Sequence, residues 1–338
     1  MRDRDALLLG ALAGAGALWG ARAWRRARRR IDLTDRVVVI TGASSGHGLV
    51  VARLAAGRGA RLVLAARSLD RLEEARPELL RLGARDVLAV ATDVRDEGQV
   101  RSLIAQTISR HGRIDVLINN AGLIQVGPVE TMTLDDFRDA MATNYWGAVY
   151  ASLAVLPHMK AQGFGRIGNV ASIGGKIAVP HLLPYSASKF ALTGFTQGLR
   201  TELAKDNILV TGLYPATMRT GGHTHAEFKG DHQAEYTWFS LNDSLPVLSV
   251  SAESVARKFL DALCVGDPEV LVGWQTHLAV LCHGLLPDET AELLTLVNRF
   301  LPGSDGRPTA SVRGEHLSGL APDLLNQVIP PGTRPGTA

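Results

Sequence analysis

Three features predict a doubly wound α/β fold with a parallel sheet. Short apolar runs alternate with helical periodicity, a glycine-rich turn follows the first run, and a tyrosine and a lysine four residues apart follow the fifth. Residues 36–41, Arg-Val-Val-Val-Ile-Thr, carry the β-branched apolar run 37–40 of a strand buried on both faces. Further strands are predicted at 61–65, 87–94, 114–119, 166–170, 209–214 and 269–273. Helices are expected from the glycine turn through residue 54, at 99–111, at 134–162, at 185–205 and from 252 onward.

A chain of 338 residues with 46% hydrophobic content can bury a sizeable core in one large domain or two small ones. The net charge of +3 does not suggest a nucleic-acid binder, because the excess arginine is gathered at the N-terminus. Cys264 and Cys282 have no metal-ligand spacing and fit a reducing compartment better than a disulfide framework. No internal repeat or second domain is visible.

The first strand runs into Thr41-Gly42-Ala-Ser44-Ser45-Gly46-His47-Gly48 and then a helix. Glycines there let the backbone approach a pyrophosphate, and the amides of a helix N-terminus bind it. In the second half of the chain, Tyr185 and Lys189 share one face of the 185–205 helix. A free phenol has a pKa of about 10, and an ammonium one turn away is expected to pull it toward neutrality. Ser172, at the end of the 166–170 strand, can hold a substrate oxygen beside that phenol.

With these motifs in register, the chain resembles the short-chain dehydrogenases/reductases of roughly 250 residues, over about residues 34 to 275. Thr41-Gly42-x-x-x-Gly46-x-Gly48, Asn119-Asn120-Ala121-Gly122, Asn144, Ser172, Tyr185-x-x-x-Lys189 and Pro215-Ala-Thr-Met218-Arg-Thr220 carry the likeness. It implies a Rossmann domain and a nicotinamide cofactor held at Thr41, Gly42, Ser44, Ser45, Gly46, His47 and Gly48. Asp93 and Val94 would border the adenine, and Asn120, Ala121 and Gly122 would line the cleft. Pro215, Met218 and Thr220 would close over the nicotinamide. It implies four catalytic members: Tyr185 as proton donor or acceptor, Lys189 for pKa tuning and ribose binding, Ser172 for the substrate oxygen, and Asn144 in a proton relay. Two departures stand out: His47 replaces an aliphatic residue, and Ala216 replaces a glycine. The second strand ends at Ala66-Arg67, with no carboxylate for ribose hydroxyls, so Arg67 favours a 2′-phosphate and hence NADP(H) over NAD(H).

Residues 6–21 are uncharged, and Trp19, Trp24 and six arginines lie within or after them. This predicts a single-pass or tightly held membrane anchor through residues 6–24, with everything after it in the cytoplasm. A cleaved signal peptide and an interfacial helix are the rivals. The stretch 217–246 reads as a long insertion over the substrate, with Tyr236, Trp238 and Phe239 as an apolar lid. His223, His225 and His232 read as exposed loop residues, not as a metal site.

The chain therefore divides into an anchor and basic flank (1–30), a catalytic domain (31–275), a helical extension (276–302) and a flexible tail (303–338). The sheet order is expected to be 3-2-1-4-5-6-7, with helices on both faces. The function expected is carbonyl–alcohol interconversion on a lipophilic small molecule by a homo-oligomer. A cofactor-binding scaffold with little turnover is the alternative, and a nucleotide-sugar epimerase is disfavoured by the glycine spacing.

Overall fold

The computed structural model describes residues 2–219, 222–244, 249–304, 306 and 308–317. Seven strands form the central sheet: β1 (Val37–Thr41), β2 (Arg61–Ala66), β3 (Asp86–Ala91), β4 (Val116–Asn119), β5 (Gly165–Val170), β6 (Ile208–Pro215) and β7 (Glu269–Val272). All are parallel, in the order 3-2-1-4-5-6-7 that the sequence predicts.

The β-branched runs explain this arrangement. On β1, Val38 and Ile40 point into one core with Leu62, Leu64 and Val116, while Val37 and Val39 point into the other with Val63, Leu117 and Ile167. A strand covered on both faces must be apolar at every position. One face is covered by α2 (Gly46–Ala56), α3 (Leu69–Arg81) and α10 (Ala252–Val265). The other is covered by α4 (Glu97–His111), α6 (Gly147–Gln162) and α7 (Leu183–Leu203). Helix starts follow local chemistry. Asp96 accepts from the amides of Gly98 and Gln99 to cap α4, and Ser251 accepts from Ser254 to cap α10.

Several expectations are corrected. The helix expected across 134–162 is present with those bounds, but it carries a π-helical turn (Ala142–Trp146) between α5 (Leu134–Met141) and α6 that the sequence does not show. The wide turn places Asn144 at its centre, as such turns often do with functional residues. The N-terminal segment is one helix, α1 (Arg2–Arg29), exposed all round in its last turns. Among the described residues no helix is long and apolar enough to cross a membrane, so the expected span is not found. The end of α1 is tied down: Arg166 Nη2 donates to Arg29 O at 2.8 Å, and Ile31 N donates to Cys264 O at 3.0 Å.

The region over the site is a small lobe of its own. Strands Gln125–Val126, Glu227–Phe228 and Val312–Arg313 form a three-stranded sheet. It packs with α9 (His232–Ser244) around Val126, Phe228, Tyr236, Phe239 and Leu317. Tyr236 and Phe239 are thus core residues of this lobe, not a free lid, and Trp238 packs beside them. Of the tail expected to be flexible, residues 308–317 return here, and 318–338 lie outside the described residues. Gly230 N donates to Thr309 Oγ1 at 2.7 Å, and Val312 pairs with Phe228. His223, on the short helix α8 (Gly222–His225), is buried edge-on to Tyr236, a correction to its reading as an exposed loop residue, whereas His225 is exposed.

Candidate active site

The glycine turn lies between β1 and α2, and its shape is held from across the sheet. Thr41 Oγ1 accepts from the amides of Asn120 (3.0 Å) and Ala121 (3.2 Å). The Asn120 amide nitrogen donates to the carbonyls of Thr41 and Gly42 at 3.1 and 3.0 Å. With both its donor hydrogens used, Asn120 Oδ1 accepts from His47 Nδ1 at 2.9 Å. Burial holds the His47 pKa below its ordinary value, so the ring is neutral and carries its proton on Nδ1. The unusual histidine therefore serves the turn as a donor where an aliphatic residue would have none.

Gly42 has φ +65°, a conformation that side chains rarely adopt. Gly48 is required for a different reason: a Cβ there would lie 2.2 Å from Gly42 O and 2.4 Å from Asn120 Nδ2. Gly48→Ala is expected to weaken cofactor binding at least a hundredfold and to cost about 1–3 kcal/mol of stability. Cofactor titration and thermal melting read the two effects, and wild-type affinity in this variant would contradict the assignment. Ser45 stands at the N-cap of α2 but makes no side-chain cap, which leaves its hydroxyl for a phosphate, and Ser44 and Gly46 border the same half-buried edge.

Arg67 is exposed at the end of β2 and makes no hydrogen bond or ion pair among the described residues. Asp93, after β3, is held below the usual carboxylate range mainly by Arg95, whose Nη2 lies 2.7 Å from Asp93 Oδ2. Val94 packs against Gly147, where a Cβ would approach it within 2.9 Å. Ala121 and Gly122 continue from β4. A Cβ on Gly122 would lie 3.2 Å from Asn144 Oδ1 and 3.7 Å from Lys189 Nζ, so glycine lets these groups converge.

Past Pro215, Thr217–Arg219 pairs in parallel with Ser249–Ser251, and Met218 packs against the core. Ala216 needs no left-handed backbone, so the family's glycine is not missed there. Thr220 lies outside the described residues.

Ser172 follows β5, and its Oγ accepts from Gly174 N at 3.1 Å. Tyr185 sits on the first turn of α7, with Pro184 beside it where a helix tolerates proline. Ser172 lies beside the Tyr185 hydroxyl and acts to lower its pKa. Lys189 lies one turn on, almost wholly buried, with Nζ donating to Val170 O at 2.9 Å and lying 5.6 Å from the centre of the Tyr185 ring.

The expected lowering of the phenol pKa is not what this arrangement gives. Burial pushes Tyr185 above its ordinary 10.0, and Ser172 offsets this only in part. The ammonium is directed to a carbonyl, and burial pushes its own pKa down to about 8. Both groups are thus driven toward neutrality by the dry pocket.

Asn144 is fully engaged. Its amide donates to Leu123 O and to Ser188 Oγ, each at 2.9 Å, and its oxygen accepts from Leu123 N at 2.8 Å. Ser188 in turn donates to Tyr185 O at 2.7 Å. Ser188 and Leu123 escaped the sequence reading; a serine directly before the lysine was the only hint of the first.

A second unread cluster lies on the substrate side. His181 Nδ1 meets Glu235 Oε1 at 2.7 Å, and Trp238 Nε1 donates to Glu235 Oε2 at 2.5 Å. This joins α9 of the small lobe to the segment just before Tyr185.

The arrangement offers a phosphate cradle at β1, a hydroxyl pair at β5 and a buried ammonium behind it, all along the carboxyl edge of the parallel strands where such folds bind dinucleotides. The cradle and the unused Ser45 hydroxyl fit a nicotinamide dinucleotide. Comparison with known proteins agrees. The family model described as short chain dehydrogenase matches residues 36–229. The dehydrogenase/reductase SDR family protein 7-like of Anopheles gambiae is 33% identical over 279 residues, covering 79% of this chain and 86% of the relative. Dehydrogenase/reductase SDR family member 7B of Danio rerio is 34% identical over 253 residues, covering 73% and 80%. A crystal structure of a short-chain dehydrogenase from Streptomyces avermitilis superposes with a TM-score of 0.68 at 28% identity, covering 80% of this chain and 99% of that one. The chain belongs to the short-chain dehydrogenase/reductase family of nicotinamide-dependent oxidoreductases.

Proposed function

We propose that the protein is an NADP(H)-dependent oxidoreductase that interconverts a carbonyl and a secondary or primary alcohol on a lipophilic substrate. The convergence of Ser172, Tyr185 and Lys189 at the carboxyl end of β5 carries the reading. A bound nicotinamide would supply or accept the hydride. Tyr185 gives its proton to the carbonyl oxygen in reduction and takes it back in oxidation. Ser172 hydrogen-bonds the same oxygen. Lys189 places a positive charge behind the phenol and binds the cofactor ribose. Asn144 acts as a positioning residue in the proton path, because its amide ties the loop after β4 to the catalytic helix.

Turnover of a panel of ketones, aldehydes and alcohols with NADPH tests this. Tight NADPH binding without turnover on any of them would favour the scaffold alternative. The cofactor preference rests on Arg67, exposed at the end of β2. Arg67→Ala is expected to raise KM for NADPH about tenfold or more, the worth of a charge-assisted hydrogen bond, and to leave NADH unaffected. Equal use of the two cofactors by the wild type would refute the preference.

The lipophilic substrate is supported by the apolar lobe around Val179, Leu182 and Trp238 beside Tyr185. Membrane attachment through residues 6–24, with the catalytic domain on the cytoplasmic side, is supported by the exposed Trp19 and Trp24 and the arginines that follow.

A further inference from the structure

After β7 the chain forms a helical hairpin, α11 (Trp274–Leu285) and α12 (Pro287–Asn298), that rests lightly on the domain. On α11 only Thr276 is buried, and α12 buries nothing. Yet both helices carry exposed apolar stripes. Trp274, Leu278, Leu281 and Leu285 recur at the spacing of one helical stripe and are 64%, 51%, 58% and 70% exposed. Leu293, Val297 and Phe300 make a second stripe, with Phe300 at 82%.

We infer that this hairpin is a self-association surface, covered in solution by the hairpin of a second copy of the chain. Side chains of this size, left half open or more, expose on the order of 1,000 Å² together, given roughly 150–250 Å² for a whole aromatic. The largest patch on a typical monomer is about 300–600 Å². A stable dimer buries about 800 Å² from each partner, so the patch is large enough for one. Its composition fits too, for α11 carries no charged residue and supplies a tryptophan, the commonest kind of anchor.

Charge sets the direction. Asp288, Glu289 and Glu292 lie at the start of α12 and Arg299 just past its end, all exposed. A two-fold axis that runs one α12 antiparallel to the other places the acids of each copy opposite the arginine of its partner. Parallel packing would set acids against acids. The same distribution argues against an anionic lipid surface, because the hairpin presents three acids and one cation.

The experiment is light scattering on the full-length protein. The double variant Leu281→Glu/Leu293→Glu is expected to halve the mass of the wild-type assembly, with NADPH turnover and melting temperature kept. Glu289→Arg and Arg299→Glu, made singly, are each expected to weaken association severalfold, and the two together to restore it. The restoration keeps the test sound should the leucine variant fold poorly. A monomeric wild type, an unchanged mass in the leucine variant, or no rescue by the double charge swap would each overturn the inference. So would loss of sedimentation with phosphatidylcholine vesicles by the leucine variant at unchanged mass, which would assign the surface to lipid.

Discussion

Replacement of Tyr185 by phenylalanine is expected to cut kcat/KM about a thousandfold while NADPH affinity stays within severalfold of wild type. The substitution removes one oxygen from a ring whose edge packs against Gly174, where a Cβ would come within 3.3 Å. The ring remains, so the cleft keeps its shape. What goes is the proton that the carbonyl oxygen needs. General acid catalysis by a placed group contributes about 10²–10⁴-fold, which sets the size of the effect. The ring keeps its packing and only one buried oxygen is removed, so the melting temperature should change only slightly. Steady-state kinetics on the best substrate of the panel, with cofactor titration beside it, give both numbers. Near-normal turnover in Tyr185→Phe would remove the phenol from the mechanism and leave the cofactor assignment standing.

The parts of the site that were legible in the sequence are those written in local geometry. Four residues from Tyr185 to Lys189 make one helical face whatever surrounds them. The glycine turn was legible from needs inside the turn itself, the positive φ of Gly42 and the close approach of Gly48 to Gly42 O. The strand order followed from seven apolar runs and short connections.

What was misread depends on contacts between residues far apart in the chain. The apolar periodicity runs smoothly from 134 to 162, and nothing in it marks the π-helical turn that sets Asn144 against Leu123 and Ser188. Residues 308–317 are poor in large apolar side chains, so composition points to a free tail. Their pairing with Glu227–Phe228 uses backbone groups that every sequence has. The phenol was misjudged because spacing reveals that an ammonium is near but not where it points. Lys189 turns an N–H to Val170 O, and the dry pocket pushes the phenol pKa up.

That same burial makes Lys189→Met informative, because activity and stability should move in opposite directions. Loss of the ammonium removes the charge behind the phenol and is expected to lower kcat by about a hundredfold or more. In the wild type the folded protein must keep a buried ammonium whose pKa has dropped from 10.5 to about 8. At 1.36 kcal/mol per pKa unit this burial costs about 3 kcal/mol at pH 7.

The penalty is present in full below pH 8, where the lysine is protonated in both folded and unfolded chains. Between pH 8 and 10.5 the unfolded chain holds the proton and the folded one does not, so this group makes the wild type more stable as pH rises. Above 10.5 the lysine is neutral in both states and the penalty is gone. Methionine never pays it, but it forfeits the bond to Val170 O, worth about 1 kcal/mol. Lys189→Met should therefore melt a few degrees above wild type at pH 7, and the gap should close by pH 10. Melting curves of both proteins at the two pH values decide it. A variant less stable by the same margin at both would mean that the lysine's hydrogen bond, not the cost of its charge, dominates the pocket.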